Sequence, residues 1–334
     1  MRIPVVSVVT PFYNTAPYLA ECIESVLGQS FSDFEYILAD NCSTDGSTEI
    51  AESYARRDCR VRLIRCEPFL PQIANYNRGL TLAAIESKYL KIVEADNYLL
   101  PECLRLMVDA FERTESLGLV SSYWLRGNVV YGSGYPFPMT AISGKEWAAS
   151  YLRGAPFVFG SPTQVMYRSA IADRNHPFFN PSVLHADTDK CLQILRNWDF
   201  GFIHQVLSFS RVDNESITTS LRGFADYALD RYLIARRYGS AFLGAPELQS
   251  FTRESKRLYY RALAPAALRL GVQPDFWRYH TEGLRTVEEK LDWSFLAAMA
   301  AAELIWAAGN PAMTFHHALR WCRRRIKSMS TRRD

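Results

Sequence analysis

The stretch Lys91-Ile92-Val93-Glu94-Ala95-Asp96-Asn97 decides the fold, because an apolar strand there runs out into two acids. It has two companions. Val5-Val6-Ser7-Val8-Val9 leads into Thr10-Pro11-Phe12-Tyr13-Asn14, and Tyr36-Ile37-Leu38 leads into Ala39-Asp40-Asn41-Cys42-Ser43-Thr44-Asp45-Gly46-Ser47. Each strand delivers carboxylates or small polar groups to its carboxyl end, the edge at which open α/β sheets bind ligands. A carboxylate in that place suits a divalent cation, and a cation suits a diphosphate.

Strands and helices alternate around these three up to about residue 125. Leu19, Cys22, Ile23, Val26 and Leu27 recur at helical spacing behind Pro17. Asp45-Gly46-Ser47 offers an N-cap to a helix through Ile50, Ala51, Tyr54 and Ala55. Val61 to Ile64 reads as a strand, Ala74 to Ile85 as a helix and Tyr89 to Val93 as a strand. A helix then runs from Pro101 through Phe111, and Leu119 to Ser122 is a further short strand. The alternation predicts an α/β fold with a doubly wound, mostly parallel sheet. From Trp124 to about Asn214 the texture is that of loops and short helices, as in Tyr131-Gly132-Ser133-Gly134-Tyr135-Pro136-Phe137-Pro138. Beyond Thr218 the chain reads as helical. The expected organisation is one domain over 1–218, in halves 1–123 and 124–218, and a helical C-terminal region over 219–334.

Nearly half of the 334 residues are hydrophobic and 22% are charged, the balance of a globular chain rather than a disordered one. The net charge of +3 does not indicate nucleic-acid binding, and it is concentrated: the stretch 320–334 holds seven Arg or Lys against one acid. Cysteines at 22, 42, 59, 66, 103, 191 and 322 are odd in number and form no Cys-x-x-Cys pair. That spacing fits neither a zinc site nor a disulfide framework and points to reduced thiols in the cytoplasm. The amino-terminal apolar run, broken by Pro11, is too short for a signal-peptide core, and Trp293 to Ala308 falls short of a membrane span. The expectation is a soluble cytoplasmic protein, or one held peripherally at the inner membrane face.

Taken together, these segments resemble the family 2 glycosyltransferases, inverting GT-A enzymes that use nucleotide-sugar donors, over roughly residues 3–218. The first matching motif is Val8 to Asn14; the resemblance implies that Thr10, Pro11 and Tyr13 lie along the nucleoside. The second is Ala39 to Ser47, where Asp40 falls on the position that accepts a hydrogen bond from the base ring. Helix capping accounts for Asp45 and Ser47 but not for Asp40, and Asn41 and Cys42 replace the family's Asp and Gly. The third, Asn75 to Leu80, implies Asn77 and Arg78 beside the donor, Arg78 reaching a phosphate or standing as a solvated helix cation. The fourth, Glu94-Ala95-Asp96-Asn97, falls on the family's Asp-x-Asp motif. It implies Glu94 and Ala95 beside the donor and Asp96 as the ligand of a divalent cation, Mn2+ or Mg2+.

Further along, Asp187 in His185-Ala186-Asp187-Thr188-Asp189 aligns with the family's catalytic base, the competing reading being that Asp187 and Asp189 only cap a helix. Gly160 to Arg168 matches the strand lining the acceptor pocket. Phe209 to Thr218 matches a segment that closes over the diphosphate, with Arg211 kept and Asp213, in place of a His, offered as a second metal ligand. The resemblance implies transfer of a sugar, from a UDP-sugar in first place, to a sugar or lipid-linked acceptor in cell-surface polysaccharide or glycolipid synthesis. Two rivals stand beside it. Substitutions at Asn41, Glu94, Asn97, Ala186 and Asp213 keep open a catalytically impaired sugar-nucleotide-binding protein. A nucleotidyltransferase also uses such a sheet, but lacks its usual Gly-rich loop here. The basic tail reads either as a membrane-surface helix or as a solvated one, and Leu296, Met299, Ala300, Glu303 and Leu304 fit an ordinary packing face or a homodimer face.

Overall fold

The computed structural model describes residues 3–83, 86–173, 176–183, 185–212, 225–268 and 274–310. Asp213 and the basic tail lie outside the described residues. The chain divides into two compact units, Met1–Ile217 with Tyr238–Ala245, and Thr218–Arg237 with Pro246–Asp334.

In the first unit β1 (Val6–Phe12), β2 (Phe34–Asp40), β3 (Val61–Arg65) and β4 (Tyr89–Ile92) lie parallel in the order β3-β2-β1-β4. They are joined through α1 (Ala16–Leu27), α2 (Ser47–Ala55) and α3 (Gln72–Thr81). There follow β5 (Tyr98–Leu99), α4 (Cys103–Arg113), β6 (Leu117–Arg126), β7 (Val129–Tyr131), β8 (Ala141–Ile142), α5 (Gly144–Leu152), β9 (Met166–Arg168), α6 (Ala186–Leu195) and β10 (Asp199–Ser210). Strand β9 enters antiparallel between β4 and β6, while β6 and β10 pair in parallel. The sheet is therefore the doubly wound, mostly parallel one expected, with β9 as its main exception.

Burial explains why these segments are strands. All seven residues of β1 are buried, as a strand covered on both faces requires. Helix α1 turns Leu19, Cys22, Ile23 and Val26 onto the sheet, and α4 turns Leu104, Met107, Val108 and Phe111. The one charge inside β4, Lys91, is fully buried; its ammonium donates to the carbonyls of Thr163 and Val165, and burial brings it down to about 8.

Three boundaries differ from the sequence reading. Strand β1 continues through Pro11 to Phe12, because β4 pairs only as far as Val9 and a proline is tolerated where one neighbour has ended. Only Met166–Arg168 of the segment 160–168 is a strand; Pro162–Gln164 is a 3-10 turn. Strand β10, twelve residues long, replaces the loops expected there.

The second unit is helical, as expected. It is built from the first part of α7 (Asp226–Phe242), most of α8 (Ala245–Ala267), α9 (Pro274–Arg285) and α10 (Trp293–Gly309). Leu229, Tyr232, Tyr259, Leu263, Leu284 and Leu296 form its core.

Candidate active site

Strand β4 carries the chain to the sheet edge, where Val93 N still bonds Val9 O at 3.0 Å before the backbone turns with Asn97 N on Glu94 O at 2.9 Å. The turn is fastened by its first acid. Glu94 Oε2 accepts from the Ser161 hydroxyl, from Thr163 Oγ1 at 3.0 Å and from Asn97 Nδ2 at 3.0 Å, while the Tyr76 hydroxyl donates to Oε1 at 3.3 Å. Ser161 and Thr163 belong to the 3-10 turn, which its own capping box between Ser161 and Gln164 stiffens. The buried Lys91 holds the same turn through its carbonyls.

Burial pushes the Glu94 carboxyl up from 4.5 to about 7; the Asp96 charge adds to this, and so, less strongly, does Asp187, against the pull of the Ser161 and Thr163 hydroxyls. Tyr76, also raised by burial, feels Glu94 and Asp96, and Tyr167 feels Asp187 and Glu94. Asp96 lies in the turn that follows β4 and Asp187 in the first turn of α6, so two distant segments bring carboxylates within electrostatic reach of Glu94. Asp187 Oδ1 also accepts from Thr188 N at 2.8 Å. Among the described residues, no three His, Cys, Asp or Glu side chains group closely enough to hold an ion by themselves.

The remaining expected donor contacts divide into exposed and structural ones. Tyr13 is 46% exposed and meets Phe69, 53% exposed, edge to face with centroids 4.8 Å apart. The Thr10 hydroxyl is buried against the Tyr36 hydroxyl at 2.9 Å, inside the core. Pro11 is buried in β1 and Ala95 in the acidic turn. Asp40 has partners of its own. Its Oδ1 accepts from Ser43 N at 2.9 Å and its Oδ2 from Thr48 Oγ1 at 2.6 Å, so this carboxylate shapes the β2–α2 loop as well. Asp45 and Ser47 cap α1 across the loop, accepting from Ala16 N and Thr15 N at 2.9 Å each.

Arg78 is half-buried and bonded within the protein. Its guanidinium donates to Pro68 O at 2.8 Å, Asn41 Oδ1 at 2.7 Å and Asn75 Oδ1 at 2.9 Å. Asn77 exchanges two hydrogen bonds with the backbone of Phe179, at 2.8 and 2.7 Å. Arg211 donates its backbone N–H to Asn97 at 3.2 Å, but its guanidinium pairs with Glu21 and lies over the Tyr18 ring, because α1 offers it both an anion and an aromatic face. Sequence reading missed Ser161, Thr163 and Phe69; a Ser-Pro-Thr-Gln run, with its capping-box spacing, was the signal available for the first two.

A cavity of about 1050 Å³ opens elsewhere, around Lys88, Tyr89, Phe111, Arg168 and Trp198. Asn77 and Arg78 lie on its wall, whereas Glu94, Asp96 and Asp187 do not.

Residues 7–172 match the sequence model of glycosyl transferase family 2. The chain is 35% identical over 119 residues to the uncharacterized glycosyltransferase EpsJ of Bacillus subtilis, a stretch that is 34% of this chain and 32% of that protein. It therefore spans about a third of the length of that relative. Among solved structures, S. aureus TarS 1-349 in complex with UDP-GlcNAc superposes with a TM-score of 0.60 at 19% identity, over 84% of this chain and 80% of the other. The mannosyltransferase PcManGT of Pyrobaculum calidifontis, in complex with GDP-Man and Mn2+, superposes with a TM-score of 0.52 at 16% identity, over 91% and 88%. At these identities the likeness is one of fold, and the fold is GT-A. The acidic turn after β4 lies within the family-matched segment, and the chain belongs to glycosyl transferase family 2.

Proposed function

We propose that this chain transfers a sugar from a nucleoside-diphosphate sugar, a UDP-sugar in first place, to an acceptor hydroxyl with inversion, in the assembly of a cell-surface polysaccharide or glycolipid. What supports this reading is that Asp96, assigned to the donor half, and Asp187, assigned to the acceptor half, both act electrostatically on Glu94. Residues 1–123 would hold the donor and 124–218 the acceptor.

Asp187 is the base. Its carboxylate takes the proton of the acceptor hydroxyl, which then attacks the anomeric carbon from the face opposite the leaving group. With no protein nucleophile in the scheme, one displacement inverts the centre. Asp96, with Asp213 as second ligand, would hold Mn2+ or Mg2+, which supplies charge neutralisation for the departing diphosphate. Glu94 positions: anchored by four side chains, it fixes the turn on which Asp96 sits. Tyr13 and Phe69 offer exposed ring faces for the base. Asn41, although it replaces a family Asp, ties Leu70 and Arg78 together and is an integral part of this loop.

The test is a melting screen against UDP-, GDP-, dTDP- and CMP-sugars with and without Mn2+, followed by product analysis. A Mn2+-dependent rise with one donor, lost in Asp96→Ala, is expected. A rise of equal size in Asp96→Ala would place the ion elsewhere, and donor binding with neither transfer nor hydrolysis would leave only a binding protein.

A further inference from the structure

We propose that Gln164 is a positioning residue, a buried amide that fastens the end of β10 to the acidic turn and so sets the place of Asp96. This role rests on the reading of Asp96 as the carboxylate that holds the cation. Gln164 closes the 3-10 turn, is 1% exposed, and has both ends of its amide engaged. Oε1 accepts from Ser161 N at 2.7 Å, which fixes that end of the amide as the oxygen. Nε2 therefore faces β10, where it donates to Ser210 Oγ at 3.1 Å and to Ser208 Oγ at 3.3 Å. An amide nitrogen carries two hydrogens, and two hydroxyls stand there to receive them. Gly160, with φ at 74°, makes the room: a Cβ in its place would come within 2.6 Å of Gln164 Cβ.

These bonds complete a circuit. The Ser161 hydroxyl donates to Glu94 Oε2, Asn97 Nδ2 donates to the same oxygen at 3.0 Å, and Arg211 N donates to Asn97 Oδ1 at 3.2 Å. Arg211 follows Ser210 in the chain, so the path returns through Gln164 to Ser161. Three segments far apart in sequence meet in it, and Asp96 lies in the chain between two of its members, Glu94 and Asn97.

The place of the circuit gives it a purpose. Backbone pairing of β5 with β10 stops at Tyr98 and Phe209. One residue further on, at Asn97 and Ser210, side chains take over the connection, and Gln164 supplies it from the 3-10 turn. A buried amide is costly unless its groups are bonded, and once bonded it is stiff and directional. An apolar side chain of the same size would fill the space without fixing the two segments to each other. Residues that support a metal ligand in this way typically cost about ten- to a hundredfold in metal affinity when they are replaced.

Gln164→Met fills the same space but also releases the Ser161 N–H. Ser208→Ala/Ser210→Ala is therefore made beside it, since it cuts the bridge to β10 and leaves the turn its own cap. UDP and GDP are titrated with and without Mn2+, well below the melting temperature of each variant. Expected is a loss of at least about tenfold in the affinity that Mn2+ adds, with the metal-free affinity unchanged. Ser208→Ala/Ser210→Thr, which restores one hydroxyl, should recover part of it. A residue that only stabilised the fold would lower the Tm and leave the Mn2+ gain intact; that result in both variants would overturn the proposal. Exchange of the Arg211 amide, followed without ligand, should quicken at least about tenfold in the serine pair. If the native chain showed no Mn2+ gain with either nucleotide, the transferase reading would fail. Quickened exchange would then leave the bridge standing, and unchanged exchange would remove the role of Gln164 as well.

Discussion

Asp187, in the first turn of α6, lies within electrostatic reach of Glu94, just past β4, and raises that residue's affinity for a proton. One end of this relationship comes from the family-matched segment 7–172 and the other from beyond it. A carboxylate brought to a half-buried acid from so far along the chain destabilises it unless charge there has a use, which is why perturbed acids mark functional sites.

Replacing Asp187 by Asn keeps the shape and the acceptor for Thr188 N but removes the basic oxygen. Transfer should fall at least about a hundredfold, the range that loss of a general base costs, with donor affinity nearly unchanged. Single-turnover rates and donor titrations read the two separately. Native turnover in the variant would exclude Asp187 as the base.

Glu94 makes stability depend on pH in a stated direction. Its folded-state value, about 7, lies above the 4.5 of the free group, so the folded chain keeps this proton after the unfolded chain has released it. The stabilisation is complete below pH 4.5 and is lost as pH rises towards 7, up to about 3 kcal/mol in all. Denaturant melts of native protein and Glu94→Gln across this window should diverge, the native chain weakening relative to the variant as pH rises. Parallel curves would mean that Glu94 is ionised throughout. Asp96, Asp187, Tyr76 and Lys91 act in the same field, so the difference between the two proteins, not either curve alone, carries the result.

Sequence periodicity sufficed for β1 to β4 and their helices because buried parallel strands read as apolar runs whatever surrounds them. Asp96 and Asp187 were legible as candidates through motif spacing. What stayed hidden were side-chain partnerships. Asp40 and Arg78 carry charges suited to a donor, and nothing local tells that Thr48 and Asn41 already engage them. Strand β10 was missed because Gly201, His204 and Gln205 interrupt its apolar alternation, a cost that its long pairing with β6 offsets.

Arg78 crosslinks three segments, and its loss takes a donor from the Pro68 carbonyl and the Asn75 side-chain oxygen, while Asn41 Oδ1 keeps only Leu70 N. Arg78→Met should cost about 1–3 kcal/mol of stability. Arg78→Lys should recover only part of it, since an ammonium cannot reproduce the planar fork. If Arg78 instead served a phosphate, both variants would keep the native Tm and lose donor affinity, so melting without donor decides between the two roles.

Cys42, at the position where the resemblance puts a glycine, has a left-handed backbone, with φ at 67°. A side chain in the left-handed region costs about 1–2 kcal/mol, against which the thiol gains one bond to Cys66 O at 3.1 Å. Cys42→Gly removes the strain and that bond, and adds freedom to the unfolded chain worth about 0.5–1 kcal/mol. A small net gain is expected, up to about 1 kcal/mol, or a few degrees in Tm. Cys42→Ala keeps the strain and loses the bond, so it should melt below the native protein. The order Gly, native, Ala in a thermal scan is the expected outcome; Ala at or above Gly would mean that the loop after β2 holds no strain at this position.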